Sequence, residues 1–382
     1  MISNFSQDFG PFEGKLWLNC AHQGPLPRVA AAAAEEAIAW KRAPWLLTTE
    51  RFSGVPQKLK QSLGRLINAP AEEIILGNSA SYGLHLLANG VRWREGDEVL
   101  LMKGDFPSDI LPWLMLAERG VRTRFIEPRD HVPQVDELLA NITPATRVFC
   151  VTLVHSFSGY AVDARAMAEV CRARGVSFVL NASQALGARP FNVEDTPVDA
   201  VVSAGWKWMC GPYGTGFCWL RPELRESLRR TQAYWLAMQT ADELGEEQGA
   251  PALRDDLGAR AFDVFGTANF FNFKAWTASI DYLLSQGIEN VAAHNDRLVS
   301  ELIAGLDRSR YEILSPLDGP RRSTLVLISH KQAERNAAIY ERLLRQGVYV
   351  AMRRGRLRIS PHIHLTSEDI ARALDALNDS ST

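Results

Sequence analysis

Between residues 70 and 220 short apolar runs alternate with amphipathic stretches, and this alternation restricts the fold more than any other feature of the chain. "EEIIL", "DEVLLM", "TRFIE", "RVFCVTLV", "VSFVLN" and "DAVVSAG" have strand length and are rich in Val, Ile, Leu and Phe. They do not alternate apolar with polar, so both faces of the sheet they build must be covered. The intervening "SYGLHLLANGV", "SDILPWLMLAERG" and "ARAMAEVCRARG" read as helices. Strand, helix and strand in succession require crossover connections, hence an α/β fold around a mostly parallel sheet.

Residues 231–265 break the rhythm: "QTADELGEEQGAPALRDDLGARA" is acidic and has no clean period, which predicts a long excursion over an active site. Two helical stretches follow, "FKAWTASIDYLLSQG" and "IENVAAHNDRLVSELIAGL". The tail reads "STLVLIS", a helix around "AERNAAIYERLLRQG", "VYVAMRR", "RLRIS" and a last helix from "TSEDIARAL", an α+β layer. With 382 residues to place, the expected division is a large domain over 15–282 and a smaller C-terminal domain over 283–382, with an arm, 1–14, packing near the latter.

A formal charge of −2 gives no electrostatic case for nucleic acid or an anionic membrane, so the expected partner is a small molecule. The five cysteines, Cys20, Cys150, Cys171, Cys210 and Cys218, lack the paired spacing of a zinc or redox site and read as thiols in a reducing compartment. "MISNFSQDFGPFEGKLW" has neither the basic start nor the apolar core of a signal peptide, and no apolar run is long enough to span a bilayer. The expectation is a cytoplasmic protein.

In open α/β sheets ligands sit at the C-terminal ends of the strands. "VTLVHSFSG", "VSFVLNASQALG" and "AVVSAGWK" bring polar residues to three such ends. In "SAGWKWMCGPYGTGF" Lys207 follows a buried strand and sits among glycines that would let backbone approach a ligand closely. A lysine so placed loses hydration, its pKa falls, and its neutral amine can attack a carbonyl to form a Schiff base. The alternative is a lysine whose stem merely lies against Trp206 and Trp208. His155 is a candidate acid or base or a packing histidine. His362 and His364 alternate on one strand face without an acidic or cysteine cluster, so no metal is expected.

"VDAVVSAGWKWMCGPYGTGFCWL" resembles the lysine segment of the class V aminotransferase family, which includes cysteine desulfurases, kynureninase and isopenicillin N epimerase-like proteins. The resemblance runs from "LWLNCAHQGPLP" to "LRISPHIHLTSEDIARAL". It implies a fold-type-I pyridoxal-phosphate (PLP) transferase, with a large domain around a mostly parallel seven-stranded sheet, a homodimer with shared sites, and an amino-acid substrate. Lys207 would hold the cofactor. "GNSASYGLHLLA" resembles the phosphate-binding turn, with Ala80 and Ser81 as donors at a helix start. "GDFPSDILPW" places Phe106 over the pyridine. In "NASQALG" Gln184 would neighbour the phenolic oxygen, while Asn181 stands where the family has the aspartate that keeps the pyridine nitrogen protonated. Asp109 of "FPSD" is the expected replacement for that charge; a helix-start carboxylate is the alternative. Arg358 matches the clamp on the substrate α-carboxylate, with Arg353, Arg354 and Arg356 nearby. Thr267 of "FGTANFF" would reach the partner's phosphate, or simply cap a helix. His22 and Gln23 would line the substrate side.

Phe157 replaces an asparagine, and Ala204 and Trp206 replace the serine and histidine that desulfurase-like members place on the phosphate, although the Trp206 indole N–H could still donate. Desulfurases also need a loop cysteine near the arginine clamp, and "VYVAMRRGRLRIS" has none. The implied activity is aminotransferase-like. A C–S or C–C lyase, an epimerase, and a degenerate PLP-binding member without turnover remain as alternatives.

Overall fold

The computed structural model describes residues 5–240, 243 and 250–379. Strand β1 (Leu16–Trp17) precedes the seven strands of the large sheet: β2 (Ile74–Gly77), β3 (Glu98–Met102), β4 (Arg122–Ile126), β5 (Thr146–Thr152), β6 (Ser177–Asn181), β7 (Ala200–Ala204) and β8 (Gly216–Leu220). Their order across the sheet is β2-β8-β7-β6-β5-β3-β4. Strand β8 alone runs opposite to the other six. Strand β8, "GFCWL", is one the strand pattern did not single out: it follows β7 through the lysine loop rather than through a helix. Every residue of β2, β3, β7 and β8 is buried, as the unbroken apolar runs require.

Helix packing explains several small residues. Ser79 caps helix Ala80–Gly90 by accepting the Tyr82 N–H at 3.3 Å. Within it, a Cβ on Gly83 would come within 2.6 Å of the Val202 side chain and 2.9 Å of Cys218, so glycine lets the helix lie directly on β7 and β8. "SDILPWLMLAERG" does not form one helix. It divides into a 3₁₀ turn at Pro107–Asp109, one α-turn at Leu111–Leu114 and a 3₁₀ segment at Met115–Arg119, because Pro107 and Pro112 each withhold an N–H and restrict the preceding residue.

A four-stranded antiparallel sheet, β12-β13-β10-β9, is built from β9 (Tyr311–Ile313), β10 (Val326–His330), β12 (Ala351–Arg353) and β13 (Arg356–Ile359). Strand β11 (Val348–Tyr349) pairs in parallel with β1 and ties the early chain to this layer. The Phe5 ring meets His294, and the Phe9 ring meets Tyr282 and His364. Helix Phe270–Gln286 runs continuously past residue 283 and ends at Gly287, whose φ of +80° suits glycine.

Of the expected excursion, 241–242 and 244–249 lie outside the described residues. Its described portion lines a cavity of about 370 Å³ together with Phe52, Lys60 and Thr267, and Lys207 is not part of that lining. Among the described residues, no helix is long and apolar enough to cross a membrane.

Candidate active site

Lys207 begins just beyond the C-terminal end of β7, where the sheet topology leaves room for a ligand. Its ammonium lies 5.4 Å from the centroid of the Phe106 ring. Burial, with the positive charges of Arg358 and Arg353, lowers the lysine to about 8, while Asp109 pulls the other way. At pH 7 about one lysine in ten is therefore free amine, the nucleophilic form, far more than at an ordinary lysine.

Three of the glycines around it are required by packing, a partner the reading from sequence did not name. A Cβ on Gly205 would meet the Trp276 ring at 2.5 Å and Thr215 Oγ1 at 2.3 Å, and one on Gly211 would meet Trp276 at 2.4 Å. The lysine loop is thus folded around a fully buried indole from helix Phe270–Gln286. Gly216 would strike the Ser79 backbone at 2.6 Å, so it lets the turn before helix Ala80–Gly90 seat on β8. On the other side Gly24 donates its N–H to Trp206 O at 2.8 Å, and a Cβ there would lie 1.9 Å from Lys207 O.

Asp109 is 1% exposed. Its Oδ1 accepts the Asn181 amide at 2.8 Å, and its Oδ2 is buried with no partner. Asn181 in turn accepts the Ser183 N–H at 3.0 Å. Asn181 is therefore committed to orienting the carboxylate, and Asp109 is neither exposed nor a helix cap. Burial pushes Asp109 up to about 7, opposed by the Asn181 bond and the charge of Lys207. Asp105, absent from the sequence reading, accepts the Phe106 N–H at 2.7 Å and the Thr152 N–H at 3.0 Å, and so pins this segment to the end of β5. Phe106 stacks on Phe157 with ring centroids 6.1 Å apart. Ser81 Oγ lies 3.2 Å from Ser108 Oγ, joining the start of helix Ala80–Gly90 to the same segment.

Gln184 is 3% exposed, and its amide is held on both ends. The Trp208 indole, which can only donate, bonds Oε1 at 2.9 Å, so Nε2 must face Ala21 O at 3.1 Å and Ser156 Oγ at 3.3 Å. Trp208 and Ser156 are positioning residues that sequence reasoning missed; Trp208 was visible only as a flank of the lysine. Trp206 packs its ring 4.6 Å from Tyr213, and the Ala204 N–H is taken by Ser183 Oγ at 3.0 Å.

Arg358 is 3% exposed and donates to Ser156 O at 3.3 Å, while its Nε has no partner. Burial and Arg353 lower it to about 9. A buried guanidinium so thinly satisfied is built for an anion. His22, exposed at the same mouth, is lowered by partial burial and by the charges of Arg353, Arg358 and Lys207. Gln23 uses its carbonyl to accept the Trp17 indole at 2.7 Å.

Four residues stand apart. Thr267 is buried beside the 370 Å³ cavity rather than at Lys207, and the cap of helix Phe270–Gln286 is Asn269, not Thr267. His155 donates Nε2–H to Gly104 O at 3.2 Å and accepts from Ser158 Oγ at 2.8 Å; burial lowers it to about 4, so it packs as a neutral ring. His362 and His364 follow β13 in a turn instead of lying on a strand, because Ser360 already leaves the ladder to bond Leu18 O. Their Nε2–H groups donate to Trp208 O and Trp17 O, each at 2.9 Å.

The residues fit pyridoxal phosphate. A lysine of lowered pKa, an aromatic ring facing it, and an orphaned carboxylate oxygen suited to a protonated ring nitrogen stand together, with helix Ala80–Gly90 starting alongside. The family described as aminotransferase class-V matches residues 47–372. Isopenicillin N epimerase of Streptomyces clavuligerus is 28% identical, with 94% of each chain covered. A probable cysteine desulfurase of Methanothermobacter thermautotrophicus is 27% identical over 65% of this chain and 60% of its own. The solved complex of the cystine C–S lyase C-DES with its product cysteine persulfide superposes with a TM-score of 0.86 at 22% identity, covering 97% of this chain and 99% of that one.

Proposed function

We propose, for a chain that belongs to the class-V aminotransferase family, has the fold-type-I architecture and takes pyridoxal 5′-phosphate as its cofactor, that Lys207 holds the cofactor and then moves a proton at the α-carbon of an amino acid. The carrying observation is the convergence of Lys207, lowered to about 8, with the unpartnered Oδ2 of Asp109 and the half-satisfied Arg358. When bound, the cofactor withdraws electrons from the substrate α-carbon.

The chain's own residues decide the outcome. Arg358 takes the α-carboxylate through two parallel hydrogen bonds, with its Nε among the free donors, and so fixes the substrate's orientation. Asp109, whose Oδ2 is free and whose Oδ1 is held by Asn181, would keep the cofactor's ring nitrogen protonated. The N-terminal N–H groups at Ala80 and Ser81, with the Ser81 hydroxyl, receive the phosphate. Phe106 shields one side from water. Lys207, an amine lowered to about 8, would serve as general base and then acid at the substrate α-carbon.

A single base returning its proton to a different carbon is the requirement of amino transfer, and this is the reading we favour. Epimerisation is the second reading, supported by the full-length likeness to isopenicillin N epimerase; it needs a second proton donor, and the candidate is His22, which is exposed and feels the charges of Lys207 and Arg358. A relay through a protein persulfide is disfavoured, since all five cysteines are buried and the β12–β13 hairpin has none. Thr267, buried away from Lys207 in its own chain, fits a homodimer in which it serves the partner's site. The deciding experiment incubates holoprotein with a panel of L-amino acids and follows keto acid, ammonia, sulfide and optical rotation. Keto acid formation stoichiometric with amino transfer supports the favoured reading; loss of optical activity alone supports the second. A protein that stays colourless with added cofactor and forms no borohydride-stable adduct at Lys207 refutes both.

A further inference from the structure

The β12–β13 hairpin carries more positive charge than one carboxylate contact requires. In its register Ala351 faces Arg358 and Arg353 faces Arg356. Side chains alternate along a strand, so Arg353, Arg356 and Arg358 share one face of the hairpin. Like charges directly opposite each other destabilise a strand pair. At the turn between them Arg354, with φ of +50°, reaches over the Phe157 ring at 3.9 Å and donates to Gly104 O at 3.1 Å.

Among the described residues none of these four guanidinium groups lies within salt-bridge distance of a carboxylate; Arg353 bonds only the neighbouring Met352 carbonyl at 2.9 Å. Arg353 is partly buried, and its charge is felt at Lys207, Arg358 and His22 alike, lowering each. Self-repelling, partly desolvated cations at one mouth become favourable only when anions occupy it. Arg358 accounts for one anion. Arg353, diagonal to it on the same face and nearer the turn of the hairpin, is left for a second.

We infer that the substrate is an amino acid with an acidic side chain, whose second anionic group is bound by Arg353 while Arg358 holds the α-carboxylate. This rests on the assignment of the site proposed above. It separates substrate selection, at Arg353, from reaction geometry, at Arg358 and Lys207, and makes Arg353 the residue that rejects neutral amino acids.

The test is isothermal titration calorimetry of holoprotein with unreactive acids of matched length: succinate against butyrate, and glutarate against valerate. Wild type is expected to bind one of the dicarboxylates about tenfold or more tightly than its monocarboxylate, the equivalent of one added charge-assisted contact. Arg353→Gln abolishes that preference by weakening dicarboxylate binding far more than monocarboxylate binding, whereas Arg356→Gln, a charge-matched change at the exposed end of the hairpin, retains it. Equal binding of the two classes by wild type overturns the inference, as does a preference that survives Arg353→Gln or is lost equally in Arg356→Gln. Failure of the underlying site assignment is read separately, as absence of cofactor absorbance and of a borohydride-fixed adduct before any acid is added.

Discussion

Asp109→Asn removes one buried charge while keeping the shape around it. The carboxylate is 1% exposed, its Oδ1 accepts Asn181, and its Oδ2 is orphaned. Burial raises it from 3.8 to about 7. The folded chain therefore holds a proton that the unfolded chain has already released, so stability falls as pH rises between about 4 and 7. The full cost, on the order of 4 kcal/mol, stands above that window and vanishes below it. An asparagine still accepts the Asn181 bond and carries no charge at any pH. Apo Asp109→Asn is expected to be more stable than wild type at pH 8, by up to several degrees in thermal midpoint for a chain of this length, with the two curves converging near pH 4. Loaded with cofactor the order of merit reverses: the variant loses the anion that keeps the ring nitrogen protonated, and turnover falls by about a hundredfold or more. Thermal denaturation of apo protein at pH 4.5, 6 and 8, with spectra and turnover of holoprotein, reads both halves. Parallel pH–stability curves, or a variant with unchanged spectrum and turnover, would refute the reasoning.

Lys207, lowered to about 8, must be neutral to capture the cofactor; the capture rate by apo protein should rise roughly tenfold per pH unit below 8 and level off above it, and a flat stopped-flow profile contradicts this. Arg358→Gln should cost about 30- to 100-fold in kcat/KM, expressed mainly in KM, as expected for losing a charge-assisted contact of about 2–3 kcal/mol; steady-state kinetics with an unaltered KM would remove Arg358 as the clamp. Gly24→Ala forces a Cβ to within 1.9 Å of Lys207 O and should lower stability by about 2 kcal/mol or more while weakening cofactor retention, measured by denaturation and by dialysis against buffer.

The sheet was legible because its strands are buried on both faces and leave continuous apolar runs, as in "RVFCVTLV". Strand β8 was not, since it lies between a loop and the short helix Pro222–Ser227 and has no crossover helix before it to announce it. Within the site, Lys207 was legible as a lysine beyond a buried strand, whereas Phe106, Asp109 and Arg358 were named through the family resemblance alone, and what each one faces depends on long-range closure. Asn181 looks in the sequence like a defective anchor; in the fold it is the residue that aims Asp109. Gln184 looks like a cofactor contact, yet the indole of Trp208 fixes which end of its amide points where. The glycines of "SAGWKWMCGPYGTGF" carry the sharpest lesson. Gly205 and Gly211 are demanded by Trp276, an indole from a helix far along the chain, and no local pattern could assign them that partner. The lysine is thereby held from below by packing and from above by Gly24, so its placement is fixed before any ligand arrives. A loop so over-determined by apolar contacts leaves selection of the substrate to the β12–β13 hairpin, where charge is clustered without internal compensation. Changes of specificity should accordingly arise at Arg353 without displacing Lys207, although loss of that charge lets the lysine pKa rise, whereas substitutions at Trp276 should damage cofactor binding for every substrate alike.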